Sequence, residues 1–192
     1  MISERSLIEL FSAAGFDRSE EIALTLLAKF HTIDGAMSAD PAVLIELIGE
    51  RAAVLLKLSA ALASRRVYDS FKFGERHTDA ETKELFLALF RGCSVETLYL
   101  LSIDAEDAVI SCDLMSEGTI NATSVLPRQL LERAVKNRAA RVIIAHNHPA
   151  GITVPSGEDI AFTSTVRSVL SVVGIELSAH YIVAGSECES VN

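Results

Sequence analysis

Apolar positions along the first third of the chain recur at helical spacing, and no two-residue alternation interrupts them. Residues 1–66 therefore read as all helical. Ser19, followed by Glu20 and Glu21, predicts the cap and acidic first turn of a helix through Phe30. Asp40-Pro41 is a good N-cap and first-position pair for a helix through Val43–Ile48, which stops at Gly49. A last helix, about Glu50–Arg66, carries Leu55, Leu58 and Leu62 at helical spacing. Residues 67–78, VYDSFKFGERHT, break this pattern and are the expected linker.

Past the break, Thr78 and Glu81 form a T-x-x-E capping box for a helix through Phe90. The pattern then switches to extended chain. Glu96–Ile103 reads as a strand, Asp104–Asp107 as a turn and Ala108–Met115 as the hairpin partner. Pro127 opens a helix to about Lys136, and Arg141–Ala145 is a short buried strand. A long helix over Ser156–Val173 and a strand over Ile175–Val183 follow, then a polar tail from Gly185 to Asn192. Strands mixed with helices in this order imply an α/β sheet covered by helices, preceded by a small all-α domain. The expected domains are 1–66 and 79–192.

Composition narrows the function classes. The hydrophobic fraction is 49% of 192 residues, enough for a core that is aliphatic in the absence of Trp. No apolar run reaches the roughly 18 residues that span a bilayer, and the start MISERSLIEL lacks the basic-then-apolar form of a signal peptide. Cys93, Cys112 and Cys188 are odd in number, widely spaced and free of any CxxC pair, so a reducing, cytoplasmic setting is expected. The net charge is −9, of which residues 1–66 contribute −2 (7 basic, 9 acidic) and residues 67–192 contribute −7 (10 basic, 17 acidic). Neither part has the basic surplus that neutralises phosphates, so nucleic acid is a poor default partner. Arg65 and Arg66 are the candidates for a local basic patch.

The chemistry concentrates in IIAHNHPAGITVPSGED, residues 143–159. His146 and His148 lie two apart, so on extended chain both side chains point the same way. Pro149 and Gly151 bend the chain, and Asp159 enters from the first turn of the next helix. Two imidazoles and a carboxylate suit zinc and leave its fourth position to water. Zinc lowers the pKa of that water from about 15.7 to about 7. A structural reading covers half of the pattern: Ser156-x-x-Asp159 is also an ordinary N-cap box, worth about 1 kcal/mol. Capping does not explain two histidines at the end of an apolar strand. A hydrolase further needs a proton carrier and a donor for the developing oxyanion. Ser156 is the natural donor. Spacing alone leaves the carrier open among Glu96, Glu106, Asp113 and Glu117. The H-x-E and P-C-x-x-C signature of zinc deaminases is absent. Attack on phosphorus stays open, though no carboxylate cluster suggests a second metal.

His146-x-His148-Pro149, six residues, then Ser156-x-x-Asp159 resembles the JAMM (MPN+) metalloprotease motif. The longer phrase HNHPAG…PSGED…T resembles the RadC branch, as do Gly118-Thr119 and Pro127-Arg128. Glu96, opening ETLYLL, matches the element that carries the catalytic glutamate of that family. The resemblance covers about residues 79–185. It implies a JAB/MPN fold of the cytidine-deaminase-like kind, with a curved mixed sheet packed between helices. It also implies one zinc ion per chain on His146, His148 and Asp159, Glu96 as general acid/base and Ser156 as oxyanion donor. A protein or peptide substrate follows from the isopeptide cleavage by other JAMM branches, and an association with DNA repair from the RadC branch. Residues 1–66 occupy the place of that branch's helix–hairpin–helix domain. The hairpin here would be Ile48-Gly49-Glu50-Arg51, with Arg51 in place of the second glycine, which argues against phosphate binding. Two departures touch the second domain. Ala150 replaces the usual Ser after HNHP, and Ala179 replaces the usual Asp before His180. His31, His77 and His180 are therefore expected to be structural or surface residues.

Overall fold

The computed structural model describes residues 4–118, 126–149 and 151–191. Thr119 and Ala150, both used in the resemblance, lie outside them. Five helices come first: α1 (Glu4–Ala13), α2 (Ser19–Phe30), α3 (Ile33–Ser38), α4 (Pro41–Ile48) and α5 (Glu50–Ser70). Asp40 caps α4 as expected, accepting from the Ala42 amide at 2.7 Å. Ser19 does not cap α2. Arg18 occupies the cap position without a capping bond to the helix amides, its guanidinium pairing with Glu21 instead, and the Ser19 hydroxyl points inward and donates to the Phe16 carbonyl at 2.6 Å.

α5 differs from expectation in both length and face. It continues past Arg66 to Ser70. Leu58 and Leu62 are 53% and 63% exposed, and the buried face is Ala52, Ala53, Leu56 and Ala60. Small side chains there let neighbouring backbone approach closely. Gly92 sits against Ala60 with a φ of +82°, where an added Cβ would lie 3.0 Å from the Ala60 Cβ. Lys57 Nζ crosses the same junction, donating to the carbonyls of Met37 at 2.7 Å and Gly92 at 3.0 Å. Arg91 faces Asp34 at 3.7 Å. The expected linker is packed as well. Tyr68 and Phe71 join an apolar cluster with Phe86 and Tyr181, and residues 74–76 bond to the start of β2.

The second part runs α6 (Asp79–Phe90), β1 (Thr97–Ile103), β2 (Val109–Glu117), α7 (Pro127–Lys136), β3 (Arg141–Asn147), α8 (Gly157–Ser171), β4 (Glu176–Ala184) and β5 (Glu187–Ser190). The Thr78–Glu81 capping box of α6 is present. The strands form one sheet in the order β2-β1-β3-β4-β5. Only β3 and β4 pair in parallel. Period-two alternation sorts the sheet into two faces. Leu98, Leu100, Val142 and Ile144 pack under α7 and α8 with Leu130, Phe162 and Val166. Leu101, Ile103, Ala145 and Val183 pack under α6 with Leu85, Phe86 and Phe90. Two irregularities in the β1–β2 register bend the sheet. This is the expected mixed sheet between helices. The one missed strand is β5, read from sequence as a polar tail. Ala184 pairs with Glu187 across a two-residue Gly185-Ser186 turn, with Gly185 at φ +59°. Among the described residues no helix is long and apolar enough to cross a membrane.

Candidate metal centre

The end of β3 delivers the first histidine. His146 pairs with Leu98 in β1 and Ile182 in β4, which makes β3 a central strand at this point. Two residues on, the His148 amide is fixed by the Val183 carbonyl at 2.9 Å, and Gly151 at φ +84° turns the chain back, donating to the His148 carbonyl at 3.0 Å. His148 Nδ1 lies 2.7 Å from the Ile152 carbonyl. Asp159 rises from the first turn of α8. Its Oδ2 accepts from the Ser156 amide at 2.8 Å and hydroxyl at 2.6 Å, while its own amide donates to Ser156 Oγ at 3.1 Å.

Three ligand atoms meet at this point. His146 Nε2 is 2.9 Å from His148 Nε2 and 3.1 Å from Asp159 Oδ1. His148 Nε2 is 3.5 Å from Asp159 Oδ2. Tetrahedral zinc with bonds of about 2.0–2.1 Å separates its ligands by about 3.3 Å. These contacts run to both carboxylate oxygens, and one ligand atom from each residue lies within 4.8 Å of the others; two imidazoles and a carboxylate so grouped fit the ion. Among the described residues this is the cluster of three or more His, Cys, Asp or Glu whose ligand atoms converge. Burial opposes charge on Asp159, but hydrogen bonds from His146 and from the Ser156 side chain and amide outweigh it and hold the carboxyl well below its usual range. A buried anion facing two imidazoles is the electrostatic arrangement a cation site needs.

The other expected residues fall around this cluster. Leu98 opposes His146. The β1–β3 pairing ends at this pair, and Glu96, just before β1, and His148, just after β3, lie beyond it at the same end of the sheet. Glu96 is half-buried and its carboxylate has no partner among the described residues. Asn147, the residue between the histidines, holds this segment in place. Its Oδ1 accepts from the Thr97 amide at 2.8 Å and its Nδ2 donates to the Val95 carbonyl at 3.0 Å, so both neighbours of Glu96 are clamped. Ser156 is both cap and neighbour of the site, but its hydroxyl proton is committed to Asp159. Serving an oxyanion requires that hydroxyl to rotate. A cleft of about 650 Å³ is lined by His148 and Pro149 together with Thr32, Asp34 and Ser38, and touches none of Glu96, His146, Ser156 and Asp159.

Comparison with known proteins bears on what this cluster is. The sequence model of the RadC-like JAB domain matches residues 77–192. A UPF0758 protein of Photobacterium profundum is 30% identical over 98% of this chain and 87% of its own. Another, from Halorhodospira halophila, is 35% identical over 97% of this chain and 85% of its own. The chain belongs to the RadC family. The sheet and helices that carry the cluster are thus a RadC-like JAB domain, and the convergence of His146, His148 and Asp159 is what such a domain can use to hold a metal.

Two RadC-chain residues escaped the sequence reading. Asn147 is one. The other is His180, expected to be structural or at the surface. It is 1% exposed and its Nε2 lies 2.8 Å from His146 Nδ1. Burial, with His146 alongside, holds its pKa down at about 3. No carboxylate stands at Ala179 to partner it, and Thr163 of α8 does so instead, with Oγ1 2.6 Å from His180 Nδ1. The family phrase PSGED…T contains this threonine. At the hairpin, the Gly49 amide is already bonded to the Ile45 carbonyl at 2.9 Å, and the Arg51 guanidinium lies 5.1 Å over the Phe16 ring.

Proposed function

We propose that this RadC-family chain is a zinc-dependent hydrolase that cleaves a peptide or isopeptide amide. The observation that carries the reading is the meeting of His146 Nε2, His148 Nε2 and the Asp159 carboxylate, one ligand atom from each lying within 4.8 Å of the others. His146, His148 and Asp159 would hold one zinc ion. Zinc, when bound, makes a water acidic enough to supply hydroxide near neutral pH and polarises a carbonyl. The chain's own residues do the remaining work. Glu96, at the end of the sheet that carries the histidines and free of partners among the described residues, takes the proton of the attacking water and passes it to the leaving nitrogen. Ser156, rotating its hydroxyl off Asp159, donates to the oxygen of the attacked carbonyl. A DNA-associated role has less support, given the acidic chain and the arginine in place of the second hairpin glycine.

The test is turnover of a fluorogenic peptide and isopeptide library by metal-stripped protein with and without added zinc. Turnover that appears with zinc and is lost in His146→Ala and Glu96→Gln supports the reading. Zinc-independent turnover, or absence of zinc uptake by the wild type, overturns it.

A further inference from the structure

A histidine serves a metal through a nitrogen that carries no proton, so something must place the proton on the other ring nitrogen. The cluster contains a device for this at His146. The Thr163 hydroxyl has one proton and two close neighbours: the Asp159 carbonyl at 2.6 Å and His180 Nδ1, also at 2.6 Å. A carbonyl oxygen can only accept, so the single hydroxyl proton goes to Asp159. Thr163 Oγ1 must then accept from His180, which puts a proton on His180 Nδ1 and leaves its Nε2 bare. That bare nitrogen lies 2.8 Å from His146 Nδ1 and has to accept from it. His146 therefore carries a proton on Nδ1, which leaves Nε2, the atom facing His148 and Asp159, as the one that can meet a metal.

The reverse order fails at its first link. If Thr163 donated to His180, two oxygens would face each other at 2.6 Å across the Asp159 contact with no proton between them. His146 Nε2 would also end up protonated and useless as a ligand. His180 is held for this task. It lies on β4 in register with Ile144, its ring meets Phe162 of α8 edge-on, and it is buried. His148 reaches the same tautomer by a shorter route, through the Ile152 carbonyl at 2.7 Å from its Nδ1.

We propose that His180, oriented by Thr163, is a positioning residue that fixes a proton of His146 on Nδ1 and so leaves Nε2 to meet the metal. The affinity arm of the test rests on the proposed metal-dependent function, whereas the proton-placement arm does not. In nitrogen NMR of the metal-free full chain, His146 should show a protonated Nδ1. The opposite assignment overturns the proposal. Zinc affinity, measured by chelator competition, should fall about 10–100-fold in His180→Leu and in Thr163→Val, as for other partners that orient metal ligands. His180→Gln, whose side-chain carbonyl can accept from His146, should regain most of the loss. Affinity in His180→Leu equal to wild type overturns the proposal, as does failure of His180→Gln to outperform His180→Leu. If the leucine variant does not fold, the wild-type tautomer decides alone. A wild type that takes up no zinc sinks the metal reading, and the same spectrum still decides the relay.

Discussion

Replacing Ser156 by alanine removes a helix cap and, if the proposed chemistry holds, an oxyanion donor, and the chain contains its own control for separating the two. Thr78 caps α6 with the same three bonds that Ser156 uses on α8. In each box the N3 amide donates to the hydroxyl, and the N3 carboxylate accepts from both the cap amide and the cap hydroxyl. Thr78→Ala should cost about 1 kcal/mol. Ser156→Ala should cost about 2 kcal/mol, because the bond it loses is to a buried charge. Asp159 is 5% exposed at the side chain and Glu81 57%. For a chain of this size each kcal/mol lowers the melting temperature by about 2–4 °C. The variants should thus melt a few degrees apart. Amide hydrolysis should separate them far more: Ser156→Ala should lose about 10²–10³ in kcat, the loss that follows removal of one such donor, and Thr78→Ala almost nothing. Paired melting curves and turnover of the same zinc-loaded substrate measure both. Equal activity loss in the two variants would refute a chemical role for Ser156 and leave it as a cap alone.

Other consequences are as direct. Glu96→Gln should lose about 10²–10⁴ in turnover while zinc affinity stays near wild type, since Glu96 carries a proton and does not hold the ion; a matching loss of affinity would contradict that division. Saturating zinc at about 100 times its Kd should add about 2.7 kcal/mol of stability, read as a higher melting temperature that His146→Ala abolishes; an unchanged melt in the wild type would count against the site. On the alkaline side, burial first of all pushes Tyr99 and Cys112 up to about 12 each. Folded pKa values raised above the unfolded ones mean stability that is present below about pH 8.5–10 and lost as pH climbs towards about 12. The denaturant midpoint should fall across that window and fall less in Tyr99→Phe with Cys112→Ala; a flat midpoint would contradict it. Gly92→Ala should destabilise by about 1–2 kcal/mol from its left-handed backbone alone, with the Ala60 contact adding to this; a melting temperature at or above wild type would show that the junction yields.

The candidate ligands were legible because their chemistry is local. A strand end, a bend and a helix start bring His146, His148 and Asp159 together with little help from the rest of the chain. The residues that were missed act through contacts between distant segments. Asn147 reaches back fifty residues to Thr97, and His180 meets His146 only because β4 lies parallel to β3. The missing carboxylate at position 179 put a supporting role for His180 in doubt, whereas α8 supplies Thr163 as its partner. In the fold, leucines at helical spacing drew attention to the wrong face of α5, because close helix packing here uses alanines. The short strand β5 was masked by its polar composition, although Gly185-Ser186 is an ordinary hairpin turn signal. Ser19 resembles a cap in sequence and turns inward in the fold.

The central claim is that His146, His148 and Asp159 hold a zinc ion within reach of Glu96. Anomalous diffraction at the zinc edge on crystals grown with zinc tests it most directly. The account predicts a single peak per chain about 2.0–2.2 Å from His146 Nε2, His148 Nε2 and an Asp159 oxygen, with the Glu96 carboxylate directed at the open fourth position. No peak among these three residues, or a Glu96 turned to the opposite face of the sheet, would contradict it.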